Sequence, residues 1–522
     1  MKVLVSDPIA EQGIKILKNE FDVDIATGLE PSELIKRIGN YEALIIRSET
    51  QVTKEVINAG KKLKIIGRAG VGVDNIDVNA ATERGIIVVN APEGNTISAA
   101  EHTIAMMMSM SRNIPQANAS LKGKKWDRKK FMGVEVRGKM LGVVGLGRIG
   151  SEVAKRAQGM EMVILAYDPF ISAERAKDLG VELTTVEDIV RRADYITVHT
   201  PLTKETKDLI STKEFAIMKK GVRLINCARG GIINEEALAK AVKDGIVVGA
   251  AIDVFTMEPP FDNPLIELDR VIMTPHLGAS TEEAQINVAV TVAEQIVNAL
   301  KGLPVKNAIN MPYVKAEVMQ IIEPYFPLAE KMGKLGTQLI GNYETIEISY
   351  CGEIADHNVA PVTLAVLKGL LEPMLGAGVN YVNAPTIAKE RKIKIVESKS
   401  KTVVGYPSQI SIKLRRKGEE RIISGTVIGK EPRIVQLDEY LIDVIPSGFM
   451  IVTRIEDRPN IIGPCCMILG KNEINIAGMQ VGRIKAGGEA IMVLNIDSEV
   501  DGRILDEIKK VNGIIDAKLV IL

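Results

Sequence analysis

Between Lys139 and Thr274, short β-branched runs alternate with stretches of helical period, the pattern of a parallel sheet with crossover helices. Six strands are expected there: MLGVVG from Met140, MVILAY from Met162, DYITVH from Asp194, VRLINC from Val222, IVVGAAID from Ile246 and VIMT from Val271. Six parallel strands with helices between them match the strand count of a complete doubly wound dinucleotide-binding fold. Residues 1–97 repeat the style with shorter runs, KVLVS, DVDIA, ALIIRS, LKIIGRAG and IIVVNAP, and read as a second, smaller α/β unit. Two long helical patterns, SAAEHTIAMMMSMSR from Ser98 and STEEAQINVAVTVAEQIVNALKG from Ser280, flank the larger unit. If both cross between the units they form a hinge beside a cleft.

The character shifts after GLPVKNAINMP, where Pro312, Pro324 and Pro327 crowd together, and a linker is expected near residues 307–312. Residues 313–446 carry helical patterns and short strands with no chemical motif. The last 74 residues, from FMIVTRIED to DAKLVIL, read strand, helix, two strands, helix, strand, the ferredoxin-like βαββαβ order. The expected division is 1–97 with 281–306 as a discontinuous substrate-binding domain, 98–280 as a Rossmann domain, 307–446 as an intervening α/β domain and 449–522 as a small terminal domain.

Composition narrows the function classes. Sixty-six basic side chains balance 66 acidic ones, so no overall field draws nucleic acid or an anionic membrane, and any anion must be held by local basic residues. Four cysteines, two of them adjacent at Cys465 and Cys466, form neither a disulfide framework nor a spaced metal set. No metal is expected. No run of about 18 apolar residues occurs, and MKVLVSD leads straight into a strand. A soluble cytoplasmic protein is the expectation.

GLGRIG, Gly145 to Gly150, follows the first strand of the larger unit and opens an amphipathic helix. There, Gly145, Gly147 and Gly150 suit a tight turn, close approach of a pyrophosphate and packing of helix on sheet. The second strand ends in Asp168, eighteen residues after Gly150, where a carboxylate accepts from an adenosine ribose and repels the extra phosphate of NADP. NAD is therefore the expected cofactor; the alternative is that Asp168 merely opens the turn before Pro169.

Ligands of such sheets sit beyond the carboxyl ends of the strands. The fourth, fifth and sixth strands are followed by CARGG, DVFTMEP and TPHLG, which deliver Arg229, Glu258 and His276. A histidine titrating near neutrality suits the proton exchange that accompanies hydride removal from an alcohol. A carboxylate orients its ring, and an arginine fork holds a planar carboxylate. The alternatives are a phosphate contact for Arg229, a loop carboxylate for Glu258 and a structural ring for His276. His102, His199 and His357 read mainly as structural.

Taken together, GLGRIG, YDP, CARGG, DVF with EPP, and TPHLGAST resemble the D-isomer-specific 2-hydroxyacid dehydrogenases, and the added second half resembles the long-type D-3-phosphoglycerate dehydrogenases among them. The resemblance implies NAD-dependent oxidation of 3-phosphoglycerate to 3-phosphohydroxypyruvate, the first step of serine biosynthesis. A reductase of glyoxylate or hydroxypyruvate and an NAD-sensing binding protein are the alternatives. It implies the catalytic trio Arg229, Glu258 and His276. Cofactor contacts are implied at Arg148, Ile149, Asp168, Thr200, Cys227, Ala228, Asp253, Leu277, Gly278 and Ala279, with His276 among them. RAGVGVDNID resembles the substrate loop, with Ala69, Gly70, Val71 and Gly72 meeting the carboxylate and Arg47 and Arg68 as phosphate or carboxylate partners. The alternative for these two arginines is solvated surface charge. The Met-rich helix and the segment through Trp126 would form a dimer contact, giving a homodimer or homotetramer. The terminal unit resembles an ACT domain, with Asn460, where a glycine is common, and Asn475 as contacts for L-serine.

Overall fold

The structure, a computed structural model, describes residues 1–403 and 405–522. The first sheet comprises β1 (Lys2–Val5), β2 (Asp22–Ile25), β3 (Ala43–Ile46), β4 (Ile65–Arg68) and β5 (Ile87–Val89). Its order is β2-β1-β3-β4-β5, with every pairing parallel. All four residues of β3 are buried, as expected of a strand covered on both faces and written as an unbroken apolar run.

The second sheet holds β6 (Met140–Val144), β7 (Val163–Tyr167), β8 (Glu182–Leu183), β9 (Tyr195–Val198), β10 (Val222–Asn226), β11 (Val247–Ile252) and β12 (Val271–Met273). Its order, β12-β11-β10-β9-β6-β7-β8, is parallel throughout and reverses direction of winding at β6, so a crevice opens there beyond the strand ends. The expected six strands are thus seven. The extra strand, β8, is two exposed residues paired to Leu165 and Ala166, too short and too polar to leave a hydrophobic period.

The helix Thr96–Ser111 sends Met106, Met107 and Met110 into the core of the second sheet. The helix Glu282–Leu300 lays Val288, Val292, Ala293 and Ile296 on the first sheet. Its amino end, capped by Thr281, follows directly from the loop that carries His276.

A third sheet contains β13 (Thr345–Gly352), β14 (Lys394–Ser400), β15 (Ser408–Arg416), β16 (Glu419–Ile428), β17 (Glu431–Leu437) and β18 (Tyr440–Val444), in the order β14-β13-β15-β16-β17-β18. Only β13 with β14 is parallel. The short strands expected here are a correction: β16 alone runs ten residues. β13 alternates buried and half-buried positions, so a sheet with one covered face appears in the chain only as interrupted apolar residues.

The terminal unit pairs β19 (Phe449–Glu456), β20 (Ile476–Arg483), β21 (Glu489–Ile496) and β22 (Ile514–Ile521) antiparallel in the order β20-β21-β19-β22. With helices Ile462–Lys471 and Gly502–Lys509 this is the ferredoxin-like arrangement. Among the described residues, no helix is long and apolar enough to cross a membrane.

Candidate active site

A cleft of about 470 Å³ lies where the carboxyl ends of the first two sheets face each other. Val71, Gly72 and Asp74 line it from the first sheet; Arg148, Thr200, Arg229 and His276 line it from the second.

The turn after β10 is shaped by Asn226, which is 2% exposed. Its Oδ1 accepts from the Ala228 amide at 3.0 Å and its Nδ2 donates to the Arg229 carbonyl at 2.9 Å, closing a clamp around CARGG. Gly230 then lets this turn touch the loop after β11, since a Cβ there would overlap the Phe255 backbone. Arg229 reaches across the cleft: Nε donates to Asp74 Oδ2 at 3.1 Å and Nη1 to the Ala228 carbonyl at 2.7 Å. Its remaining donors are free to meet a bound carboxylate.

His276 Nδ1 lies 2.9 Å from Glu258 Oε2. Burial raises the Glu258 carboxyl, but hydrogen bonds from His276 and from the Phe255 amide outweigh it and hold the group below the usual carboxylate range. An ionised Glu258 takes the Nδ1 proton as a hydrogen bond, which leaves Nε2 as the ring's acceptor. His276 adopts a left-handed backbone, φ 55°, at a cost of order 1 kcal/mol for a residue other than glycine. Asp253, fully buried, enforces it. The Asp253 carbonyl accepts from the His276 amide at 2.9 Å. Its Oδ1 takes the Leu277 amide at 2.7 Å and the Thr274 hydroxyl at 2.6 Å, and its Oδ2 takes the Gly278 amide at 2.9 Å. His102 Nε2 stands 3.2 Å from Oδ1. Burial alone would raise the Asp253 carboxyl; His102, Thr274 and the Leu277 amide reverse that and keep it low.

Two arginines stand behind the loop 69–72 on the facing side. Arg68 Nε donates to the Arg47 carbonyl at 3.1 Å, and its Nη1 donates to the Gly72 carbonyl. Burial first, and then the charge of Arg229, push the Arg68 guanidinium down to about 10; Arg47 acts in the same direction, against Asp74 and Asp7. Three guanidinium groups therefore repel one another at neutral pH, and an anion between them relieves that repulsion. In the loop 69–72, the Ala69 amide is used by the Ile46 carbonyl at 2.8 Å and the Gly70 amide by the Arg68 carbonyl at 2.8 Å. No protein acceptor among the described residues takes the amides of Val71 and Gly72. The cleft lining includes neither Arg47 nor Arg68; Arg47 lines a separate recess of about 560 Å³ with Gln12, Ser280 and Thr281.

The glycine loop fits a dinucleotide. Gly145 has φ 97°, a Cβ on Gly150 would overlap the Gly145 carbonyl, and one on Gly147 would meet nothing, so the middle glycine faces open space. Asp168 accepts from the Leu146 amide at 2.9 Å through Oδ2 and from the Phe170 amide at 2.9 Å through Oδ1, tying the end of β7 to that loop. Thr200 Oγ1 and Asn95 Oδ1 are buried in the cleft wall and have no protein partner among the described residues. Ile149, Cys227, Ala228, Gly278 and Ala279 also line the cleft, whereas Leu277 is not in its lining and gives its amide to Asp253 Oδ1. Burial and the neighbouring Asp253 push the Cys227 thiol up to about 12, so it is a neutral wall. His199 lines the cleft as well, bonded to Thr197 Oγ1 at 2.9 Å, and packing around its ring pushes it down to about 4. Sequence reading missed Asp74, Asn226 and Asn90; Asp74 lay inside the quoted RAGVGVDNID, but clamps such as Asn226 leave no periodic signal.

Asn460 and Asn475 lie far along the chain, both exposed. Asn460 has φ 63°, a left-handed conformation that asparagine tolerates, and Asn475 Nδ2 donates to Asp497 Oδ2 at 2.7 Å.

Comparison with known proteins bears on this geometry. Residues 104–278 match the model of the D-isomer specific 2-hydroxyacid dehydrogenase NAD binding domain, and residues 321–438 that of the D-3-phosphoglycerate dehydrogenase intervening domain. The chain is similar to D-3-phosphoglycerate dehydrogenase of Archaeoglobus fulgidus, 50% identical with 100% of each chain covered. It is also similar to that of Bacillus subtilis, 46% identical with 99% of each covered. Among solved structures it is similar to D-lactate dehydrogenase from Aquifex aeolicus complexed with NAD and lactic acid, 27% identical, TM-score 0.54, covering 60% of this chain and 100% of that one. Identity of this extent over the full length, together with both domain matches, means that the chain belongs to the D-3-phosphoglycerate dehydrogenase family within the D-isomer-specific, NAD-dependent 2-hydroxyacid dehydrogenases.

Proposed function

We propose that the chain oxidises 3-phosphoglycerate to 3-phosphohydroxypyruvate with NAD, the opening reaction of serine biosynthesis. The observation that carries this is the pairing of His276 with Glu258 at 2.9 Å, with Arg229 beside them in the cleft and Arg68 and Arg47 behind the facing loop 69–72. NAD bound on the glycine loop accepts the hydride from the substrate carbinol carbon. Gly145, Gly147, Arg148, Ile149 and Gly150 hold its phosphates, Asp168 its ribose, and Thr200, Cys227, Ala228, Asp253 and residues 276–279 surround its reactive end. His276 Nε2 takes the hydroxyl proton, and Glu258 steadies the resulting imidazolium. Arg229 and the amides of Val71 and Gly72 take the carboxylate; Arg68 and Arg47 take the phosphate at the far end of the three-carbon acid.

Steady-state assays with both substrates test the reading. NADH formation from 3-phosphoglycerate supports it, whereas no such activity beside ready reduction of glyoxylate overturns it. The exposed Trp126 and Met132, 76% and 80% accessible, support their burial in a homodimer or homotetramer. A single-subunit mass in light scattering would remove that assignment. The terminal unit is read as an ACT domain that binds L-serine through Asn460 and Asn475, which calorimetry on the full chain checks.

A further inference from the structure

A piece of the second half of the chain lies against the edge of the first sheet. β5 has β4 on one side only. Along its other side residues 307–310 run antiparallel: Val89 bridges Ala308, the Ile309 amide donates to the Val88 carbonyl at 2.7 Å and the Asn90 amide to the Asn307 carbonyl at 3.4 Å. Asn310 locks the end, accepting from the Val88 amide at 3.0 Å and donating to the Ile86 carbonyl at 2.9 Å and Thr82 Oγ1 at 3.0 Å. The expected linker therefore touches, through one isolated bridge, the edge of the sheet that ends at the cleft, and Ile309 lines that cleft. A second anchor lies nearby, where Asn380 Nδ2 donates to the Gly85 carbonyl at 2.9 Å in the turn before β5.

From this segment a chain of buried amides runs to the substrate loop. Gln295, on the helix Glu282–Leu300 and 4% exposed, accepts from the Asn307 amide at 2.8 Å and donates to the Asn90 carbonyl at 2.9 Å. Asn90, 6% exposed, donates through Nδ2 to the Val71 carbonyl, and the next amide, Ala91, donates to the Gly70 carbonyl at 2.9 Å. The peptide carbonyls of Gly70 and Val71 are thus fixed from behind, which aims the amides of Val71 and Gly72 into the cleft. In a buried relay of this kind, removing one member orphans its partners, so the groups move or fail together.

We propose that Gln295 and Asn90 are positioning residues for the substrate loop, and that the segment 307–310 completes the substrate site by holding them in register. The placement of the second half of the chain is then read as affinity for the acid substrate. This rests on the assignment of loop 69–72 to the substrate carboxylate.

Two variants of the full-length enzyme test it. Gln295→Met keeps the volume and removes both hydrogen bonds; Asn310→Ala loosens the segment 307–310 without touching the relay. Hydrogen exchange of the amides in residues 69–73 of the unliganded enzyme is expected to speed up about tenfold in Gln295→Met, the equivalent of one net hydrogen bond, and less in Asn310→Ala. The KM for 3-phosphoglycerate is expected to rise by about the same factor, with kcat and the KM for NAD changed less than about twofold. Unchanged exchange and unchanged substrate KM in both variants would overturn the proposal. So would parallel losses in kcat and in both KM values with a lower Tm, the mark of a merely structural role. If the wild-type enzyme does not oxidise 3-phosphoglycerate, the functional reading fails by itself, and loop exchange still decides the positioning claim.

Discussion

The two parallel sheets that meet at the cleft are built alike but equipped differently. The first ends in a loop of backbone amides backed by Arg68 and Arg47; the second ends in Arg229, Glu258, His276 and the glycine loop. Two reactive side chains of the second sheet are braced by a buried polar residue from a strand end, Asn226 under Arg229 and Asp253 under His276. The loop of the first sheet is braced likewise by Asn90, which follows β5, and in addition by Gln295 from the helix Glu282–Leu300. On the proposed reading the first sheet recognises the phosphate, while the second moves the proton and shares the carboxylate through Arg229, so substitutions at Arg68 and at His276 should separate into KM and kcat effects.

The largest expected effect is on the second sheet. His276→Ala should lower kcat by roughly 10² to 10⁴, the usual worth of a positioned acid/base, with NAD affinity by fluorescence titration nearly unchanged. A retained kcat would remove the proton transfer from this sheet. Arg68→Met, on the first, should raise the KM for 3-phosphoglycerate about 10²-fold through loss of charge-assisted bonds to the phosphate, with a smaller change in kcat. If kcat falls and KM holds, the division between sheets is wrong.

Asp253→Asn sharpens the comparison through stability. The carboxyl is held lower in the folded chain than in the unfolded one, so its contribution is present above about pH 4 and is lost as pH falls through the folded value. The variant should cost about 1–3 kcal/mol in denaturant titration at pH 7, and the gap from wild type should narrow in more acid buffer. A gap independent of pH would mean that Asp253 braces the turn by shape alone. The smallest effect is expected at the rim: Asp168→Ala should reduce the preference for NAD over NADP about tenfold, since one of the charges repelling a phosphate is gone. Because Asp168 also holds the Leu146 amide, some loss of NAD affinity should accompany it.

The strand ends were legible because parallel strands buried on both faces write themselves as apolar runs, and the chemistry follows each run directly. That is how Arg229, Glu258 and His276 could be placed at one cleft before any coordinates. Glu258 could be assigned as the partner of His276, but its distance from the ring was not legible, because the chain between them runs through an irregular loop and then β12, and the start of that loop is set by its close approach to Gly230. β8 was too short to register. The third sheet was read only as scattered strands, since a sheet with one covered face and a single parallel pair has no repeating unit to recognise. The bridge of Ala308 to Val89 within the expected linker 307–312 was not legible, because a single bridge at a sheet edge is specified by its partner more than by its own composition.

The division of labour between the sheets is tested most directly by comparing 3-phosphoglycerate with D-glycerate, which presents the same reacting carbon without the phosphate. With NAD saturating, kcat/KM is expected to favour 3-phosphoglycerate by about 10² or more, and Arg68→Met should collapse most of that preference. Equal kcat/KM for the two acids, or a preference untouched by Arg68→Met, would contradict the account.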